Sequence, residues 1–141
     1  MSENATLVRK AFDAFNSGDP SFFLDHYDPD IVLRIAPPNL NSGTHHGAEA
    51  VERQYTQFFA TFGGTFRVEI EKLIEVGDSI LVISKNRARG RRSGATVESV
   101  LVPWIATFRG GKIIRIDEPA SLEEACELVG LSKEALEPIS R

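Results

Sequence analysis

Two apolar runs joined by a diglycine dominate the second half of the chain. Thr96 to Phe108 and Lys112 to Glu118 flank Gly110-Gly111, a pattern that predicts an antiparallel hairpin. Its first arm, about 13 residues long, calls for a bent sheet rather than a flat one. Side chains alternate along a strand, so Ile113, Arg115 and Asp117 share one face of the second arm. Ile114, Ile116 and Glu118 share the other. With the even face inward, Glu118 stands at the end of an apolar wall, beside Ile114 and Ile116 and across the hairpin from Trp104 and Ala106, with Val102 on the same face. An unpaired charge is costly there. Desolvation would raise its pKa toward neutrality, which suits general acid or base work. The competing role is a strand-end acid that pairs with an arginine or caps the following helix. Asp117 is expected to face outward beside Arg115, as a surface ion pair or a dimer contact.

The elements before the hairpin are helices, then strands. Leu7, Val8, Ala11, Phe12 and Phe15 recur at helical spacing and predict a first helix over about residues 4–16. Asp19 caps a short second helix that opens on Pro20 and carries Phe22, Phe23, Leu24 and Tyr27. Asp28-Pro29-Asp30 reads as a turn, Ile31 to Ala36 as a strand, and Pro37 to Gly43 as a loop. A third helix starts near Gly47, carries Val51, Tyr55, Phe58, Phe59 and Phe62 on one side, and stops at Gly63-Gly64. Alternation then predicts strands over residues 66–76 and 80–89. After the hairpin, Ser121 and Glu124 form a capping box for a helix closed by Gly130. Ser132 to Ile139 adds another short helix. The expectation is one domain over residues 1–141: an α+β fold in which a cone-shaped, curved antiparallel sheet wraps three N-terminal helices, with an extra helix at the C-terminus.

Composition narrows the function. A formal charge of −4 argues against general nucleic-acid binding. Lys85, Arg87, Arg89, Arg91 and Arg92 form a basic ribbon, but no aromatic residue interleaves them for base stacking. A solvated outer face or a dimer contact with Glu69, Glu71 and Glu75 fits better. Cys126 is the only cysteine, so no internal disulfide forms, as expected in a reducing cytoplasm. No apolar run approaches the roughly 20 residues a membrane span needs, and the first residues lack a signal-peptide pattern. No glycine-rich phosphate loop indicates a nucleotide cofactor, and no metal site is expected.

Several further residues are candidates for a binding cavity. Trp104 on the inner face is pocket wall or core filler, and its indole N–H needs a partner, which a ligand oxygen or Glu118 would supply. Tyr55 is a core tyrosine that can turn its hydroxyl toward the cavity. His45-His46 falls in a loop expected to cross the pocket mouth, either as an acid–base group or as plain loop surface. Adjacent histidines do not readily chelate one ion. The many phenylalanines would line a cavity suited to an apolar or polycyclic ligand.

The strings Phe12-Asp13-Ala14-Phe15-Asn16-Ser17-Gly18-Asp19, Gly47-Ala48-Glu49-Ala50-Val51, Arg89-Gly90-Arg91-Arg92-Ser93-Gly94, Thr107-Phe108-Arg109-Gly110-Gly111-Lys112-Ile113 and Glu123-Glu124-Ala125 through Gly130-Leu131 come in a telling order. In that order and spacing the chain resembles the SnoaL-like branch of the nuclear-transport-factor-2-like superfamily. The resemblance implies a cone-shaped α+β barrel with an apolar pocket, often as a homodimer. Polyketide cyclases, ketosteroid isomerases and epoxide hydrolases belong to that superfamily. The position of the isomerases' base looks like Ile35, and that of their oxyanion-binding acid falls near Trp104. The epoxide hydrolases' arginine and aspartates look like Ser84, Asn86 and Glu118, so Glu118 alone keeps an acid.

Three readings follow. The first is a cofactor-free isomerase, cyclase or hydrolase for an apolar carbonyl or polycyclic compound, with Glu118 as the catalytic group. In it Trp104, Tyr55, His45, Ile35, Val102 and Ile116 contact the ligand. The second is a non-catalytic ligand-binding module, and the third an interaction domain. The apolar odd-numbered row Leu101, Pro103 and Ile105 predicts a homodimer through the outer sheet face.

Overall fold

The structure, a computed structural model, describes residues 2–19, 22–39, 42–62, 67–89, 96–132 and 134. The elements run α1 (Glu3–Asn16), a 3-10 helix (Phe22–His26), β1 (Tyr27–Ile35), β2 (Gly43–His46), α2 (Ala48–Phe62), β3 (Arg67–Val76), β4 (Ser79–Arg89), β5 (Thr96–Arg109), β6 (Lys112–Glu118) and α3 (Leu122–Val129). Six strands form one curled, unclosed sheet in the order β2-β1-β6-β5-β4-β3. All neighbours are antiparallel except β1 and β6, which run parallel. The expected all-antiparallel sheet is therefore mixed. The cause is that the chain runs from β1 through β2, α2 and three more strands before β6 returns beside β1.

The sheet's inner face makes the main core. Ile31 and Leu33 of β1, Val82 of β4, Ile113 and Ile116 of β6, Val8 of α1 and Val51 of α2 are wholly buried there. Each such side chain stabilises the fold by roughly 1.5–3 kcal/mol. Ser2 caps α1 by accepting from the N–H of Ala5 at 3.0 Å, which meets one of the helix's unpaired donors.

Two local devices change what simple alternation predicts. In β6, Ile113 pairs with Phe108 and Arg115 with Thr107, so Ile114 is an extra, bulged residue. The bulge flips the parity: Ile113, not Ile114, enters the core, while Ile116 and Glu118 keep their inward direction. In β1, the Asp28-Pro29-Asp30 turn signal is absorbed within the strand. The register slips between Tyr27 and Val32, and the Asp28 carboxylate accepts from the Asp30 N–H at 2.9 Å. The second predicted helix is a single 3-10 segment, and Tyr27 begins β1 instead of ending that helix. Residues 133 and 135–139 of the expected last helix, and the Arg91-Arg92 end of the basic ribbon, lie outside the described residues.

The outer face carries a second, smaller core. Leu81, Ile83 and Ile105 pack against Ala125 and Cys126 of α3, with Leu101, Leu122 and Val129 around them. Of the apolar row Leu101, Pro103 and Ile105, the chain's own C-terminal helix covers Ile105 and leaves Leu101 partly buried at its edge. Ser121 caps that helix, accepting from Glu124 N–H at 3.1 Å, and Gly130 ends it at φ 75°, a conformation glycine adopts without a Cβ clash. Asp117 faces outward as expected but is buried, at 5% exposure. Its carboxylate accepts two hydrogen bonds from Arg115, at 2.8 and 3.1 Å. Arg34, also outward, lies 3.2 Å from Glu124 of α3 and 4.0 Å from Asp117. Lys85 meets Glu71 within the chain at 3.7 Å.

Candidate functional site

Between the curled sheet and helices α1 and α2 lies a cavity of about 170 Å³. Its walls are aromatic: Phe12 and Phe15 from α1, Phe22 and Phe23 from the 3-10 helix, Tyr27 from β1, Tyr55 and Phe58 from α2, and Trp104 from β5. Phe23 stacks on Trp104 with centroids 5.9 Å apart, and Phe12 meets the same indole edge-on at 5.2 Å. Such pairs hold the rings in fixed orientations. Leu33, Ile35, Val68 and Val102 complete the apolar surface.

Glu118 enters this cavity from the last residue of β6. Its backbone is held firmly. The Ala36 N–H donates to its carbonyl at 3.0 Å, and the Asn39 amide donates to the carbonyls of Glu118 and Pro119, both at 3.1 Å. The carboxylate itself is set by a relay. The Tyr55 hydroxyl donates to Glu118 Oε2 at 2.9 Å, and Trp104 Nε1–H donates to the Tyr55 oxygen at 3.2 Å. The indole partner is thus Tyr55, interposed between Trp104 and the acid.

Burial raises the Glu118 pKa, and the hydrogen bond from Tyr55 offsets part of that rise. Tyr55 is pushed well above a normal tyrosine, first by burial and then by the neighbouring Glu118 charge. Tyr27 is raised by burial, then by Glu52 and Glu118. Both tyrosines therefore keep their protons through the neutral range, and Tyr55 donates its own to Glu118. The arrangement gives the Glu118 carboxyl group apolar walls on most sides, with one oxygen engaged by Tyr55 and the other, Oε1, left for a ligand.

Of the residues read from the sequence, Glu118, Trp104, Tyr55, Ile35 and Val102 share this cavity. Ile116 lies beneath it, wholly buried and paired with Leu33 and Ala106. His45 is not on a loop at the mouth. It belongs to β2, opposite Leu33, and does not line the cavity. The β2 pairing was missed because Thr44-His45-His46 after a proline-rich segment carries no strand pattern. The cavity also contains polar groups that the sequence did not offer as ligand contacts: Asp19 and Gln54, together with Ser84 and Asn86, which the resemblance had placed only at the epoxide hydrolases' catalytic positions. Parity offered a signal for the last two, since Ile80, Val82, Ser84 and Asn86 fall on one face of β4.

The profile of the SnoaL-like domain family matches residues 8–116. Uncharacterized proteins of Mycobacterium bovis and Mycobacterium tuberculosis are 30% identical over 132 residues, covering 87% of this chain and 97% of theirs. Among solved structures, Bal32a from a soil-derived mobile gene cassette shares 26% identity at a TM-score of 0.71, covering 89% of this chain and 95% of that one. An NTF2-like protein of Burkholderia pseudomallei superposes at a TM-score of 0.71 with 23% identity, over 92% and 98% of the two chains. With the profile spanning most of its length, this chain belongs to the SnoaL-like domain family.

Proposed function

We propose that this protein binds an apolar ring compound bearing a carbonyl and that Glu118 moves a proton on it without a bound cofactor. The observation that carries the reading is the Glu118 carboxyl inside an aromatic cavity, held by Tyr55 and Trp104 with Oε1 left open. Membership of a small-molecule-binding family supports it. In the proposed step, Glu118 Oε1 takes a proton from the carbon next to the carbonyl. The C–H electron pair moves into the C–C bond as the enolate forms, and Glu118 returns its proton to the same carbon or to one in conjugation with it. A raised pKa brings the group nearer its working pH, where general bases are most effective. The apolar walls hold the ring and leave the carboxyl group little water to compete for the proton.

The test needs no knowledge of the product. The bicyclic ketone 2-tetralone has exchangeable protons beside its carbonyl, and their replacement by deuterium in heavy water is followed by NMR. The parent protein is expected to accelerate exchange above buffer. Glu118→Gln is expected to lose roughly 100-fold or more of that acceleration. Equal acceleration by both proteins would refute the assignment. A second reading, ligand binding without catalysis, is supported by Ile35: this cavity-wall residue is apolar where the resemblance to ketosteroid isomerases would put a base. Binding of the ketone without accelerated exchange is its signature. We also propose the homodimer through the outer sheet face, supported by Leu101, which stays partly exposed beside the Ile105 that α3 covers. Sedimentation at tens of micromolar protein reads the oligomeric state directly.

A further inference from the structure

The hydroxyl and indole donors of the acid relay are engaged: Trp104 N–H with Tyr55, Tyr55 O–H with Glu118. Ser84 O–H is engaged too, donating to Asn86 Oδ1 at 3.0 Å, with the Val102 carbonyl at 3.4 Å. Among the described residues, the lining donors without a hydrogen bond are the Tyr27 hydroxyl and the amides of Gln54 and Asn86. Tyr27 belongs to the acid end, since the Glu118 charge acts on it. Gln54 sits next to Tyr55 on α2 and has no partner that fixes its amide. Asn86 differs on both counts. Ser84, only 3% exposed, holds its oxygen and so turns its two N–H groups the other way.

The sheet register sets Asn86 apart from the acid. Asp117 pairs with Ile105, Trp104 with Val82, and Ser84 with Val102. Asn86 therefore lies two strands across and four residues along from the position beside Glu118. On a flat sheet that is roughly 10 Å across and roughly 13 Å along, and the curl shortens it. The cavity thus has two polar poles on one apolar surface.

From this geometry we infer that the Asn86 amide, oriented by Ser84, is a specificity-determining donor that selects elongated ring compounds with an acceptor oxygen far from the end that meets Glu118. The inference rests on the ligand-cavity reading above but not on its catalytic part. An amide neither gives up nor takes a proton here, so Asn86 acts through binding alone and Ser84 is a positioning residue.

Two isosteric probes separate the possibilities: 6-methoxy-2-tetralone, which carries a distal oxygen, and 6-ethyl-2-tetralone, which carries a methylene instead. The chain has one tryptophan, so its single indole N–H resonance in a nitrogen–proton NMR spectrum reports cavity occupancy. The parent is expected to bind the methoxy compound about fivefold more tightly than the ethyl compound, the scale of one net neutral hydrogen bond. Asn86→Leu should erase that preference while leaving the ethyl compound's affinity unchanged or improved. Asn86→Asp keeps the shape and removes both donors, so it should erase the preference too if the leucine variant folds poorly. Ser84→Ala should weaken it in part. No preference in the parent, or a preference retained by both Asn86 variants, overturns the inference. If neither probe moves the Trp104 resonance, the cavity reading has failed and this inference falls with it. Selective binding without accelerated deuterium exchange refutes only the catalytic reading and leaves the role of Asn86 standing.

Discussion

Tyr55→Phe removes one oxygen and with it two hydrogen bonds, one to Glu118 at 2.9 Å and one from Trp104 at 3.2 Å. The two bonds differ in kind. The bond to an ionised carboxylate is worth about 1.5–3 kcal/mol net, whereas the neutral indole–hydroxyl bond is worth about 0.5–1.5 kcal/mol. Above the Glu118 midpoint the variant should therefore lose about 2–4 kcal/mol of stability. Below the midpoint the acid is protonated, both bonds are of the neutral class, and the loss should shrink to about 1–3 kcal/mol. The sign follows from linkage. Tyr55 favours the ionised form of Glu118, so removing it raises the Glu118 pKa further. A raised pKa in the folded state costs stability as pH climbs from the unfolded to the folded midpoint. Denaturant unfolding of both proteins across the acid and neutral range checks this. A loss independent of pH would refute the claim that Tyr55 acts on an ionisable Glu118. A loss below about 0.5 kcal/mol would refute the relay itself.

Three other outcomes follow from the same structure. Glu118→Gln keeps a hydrogen-bond acceptor for Tyr55 and removes the buried charge, so at neutral pH it should be as stable as the parent or more so, and less advantaged in acid, where the parent is protonated. Thermal melts at both pH values check it, and a clear loss at neutral pH would make Glu118 a structural ion partner. Asp117→Ala removes the acceptor of two Arg115 hydrogen bonds beneath α3 and should cost about 1–3 kcal/mol, read by denaturant unfolding. Ile105→Ala opens the small core under α3 and should cost about 2–5 kcal/mol, with hydrogen exchange in α3 rising along with it.

Periodicity made much of this fold legible. The spacing of Leu7, Val8, Ala11, Phe12 and Phe15 fits α1, and the Ser121 capping box and Gly130 fit α3 almost to the residue. The inward direction of Glu118 was also legible, although for an incomplete reason. The Ile114 bulge moves Ile113 into the core, but it lies before Ile116 and leaves the end of the strand unchanged. A bulge depends on pairing across strands, so no local pattern reports it. The sequence did not name α3 as the cover over Ile105, because apolar residues on a strand show a need for cover without saying which segment supplies it. The capping box that supplies it was visible, but its packing partner was not. Tyr55 and Trp104 are 49 residues apart in sequence, and only the tertiary fold brings one hydroxyl between an indole and an acid. His45 looked like a mouth residue because four residues of β2 carry too little apolar pattern to reveal a strand.

The central claim is that Glu118 is a buried, ionisable group coupled to Tyr55 and Trp104 and facing a ligand cavity. Its most direct test is an NMR pH titration of the Glu118 side-chain carboxyl carbon together with the Trp104 indole N–H resonance. The account predicts a carboxyl midpoint above that of an ordinary glutamate, with the indole resonance moving at the same pH through Tyr55. It also predicts that Tyr55→Phe shifts the carboxyl midpoint upward and uncouples the indole. A Glu118 midpoint at or below the ordinary glutamate value, or an indole resonance indifferent to it, would contradict the account.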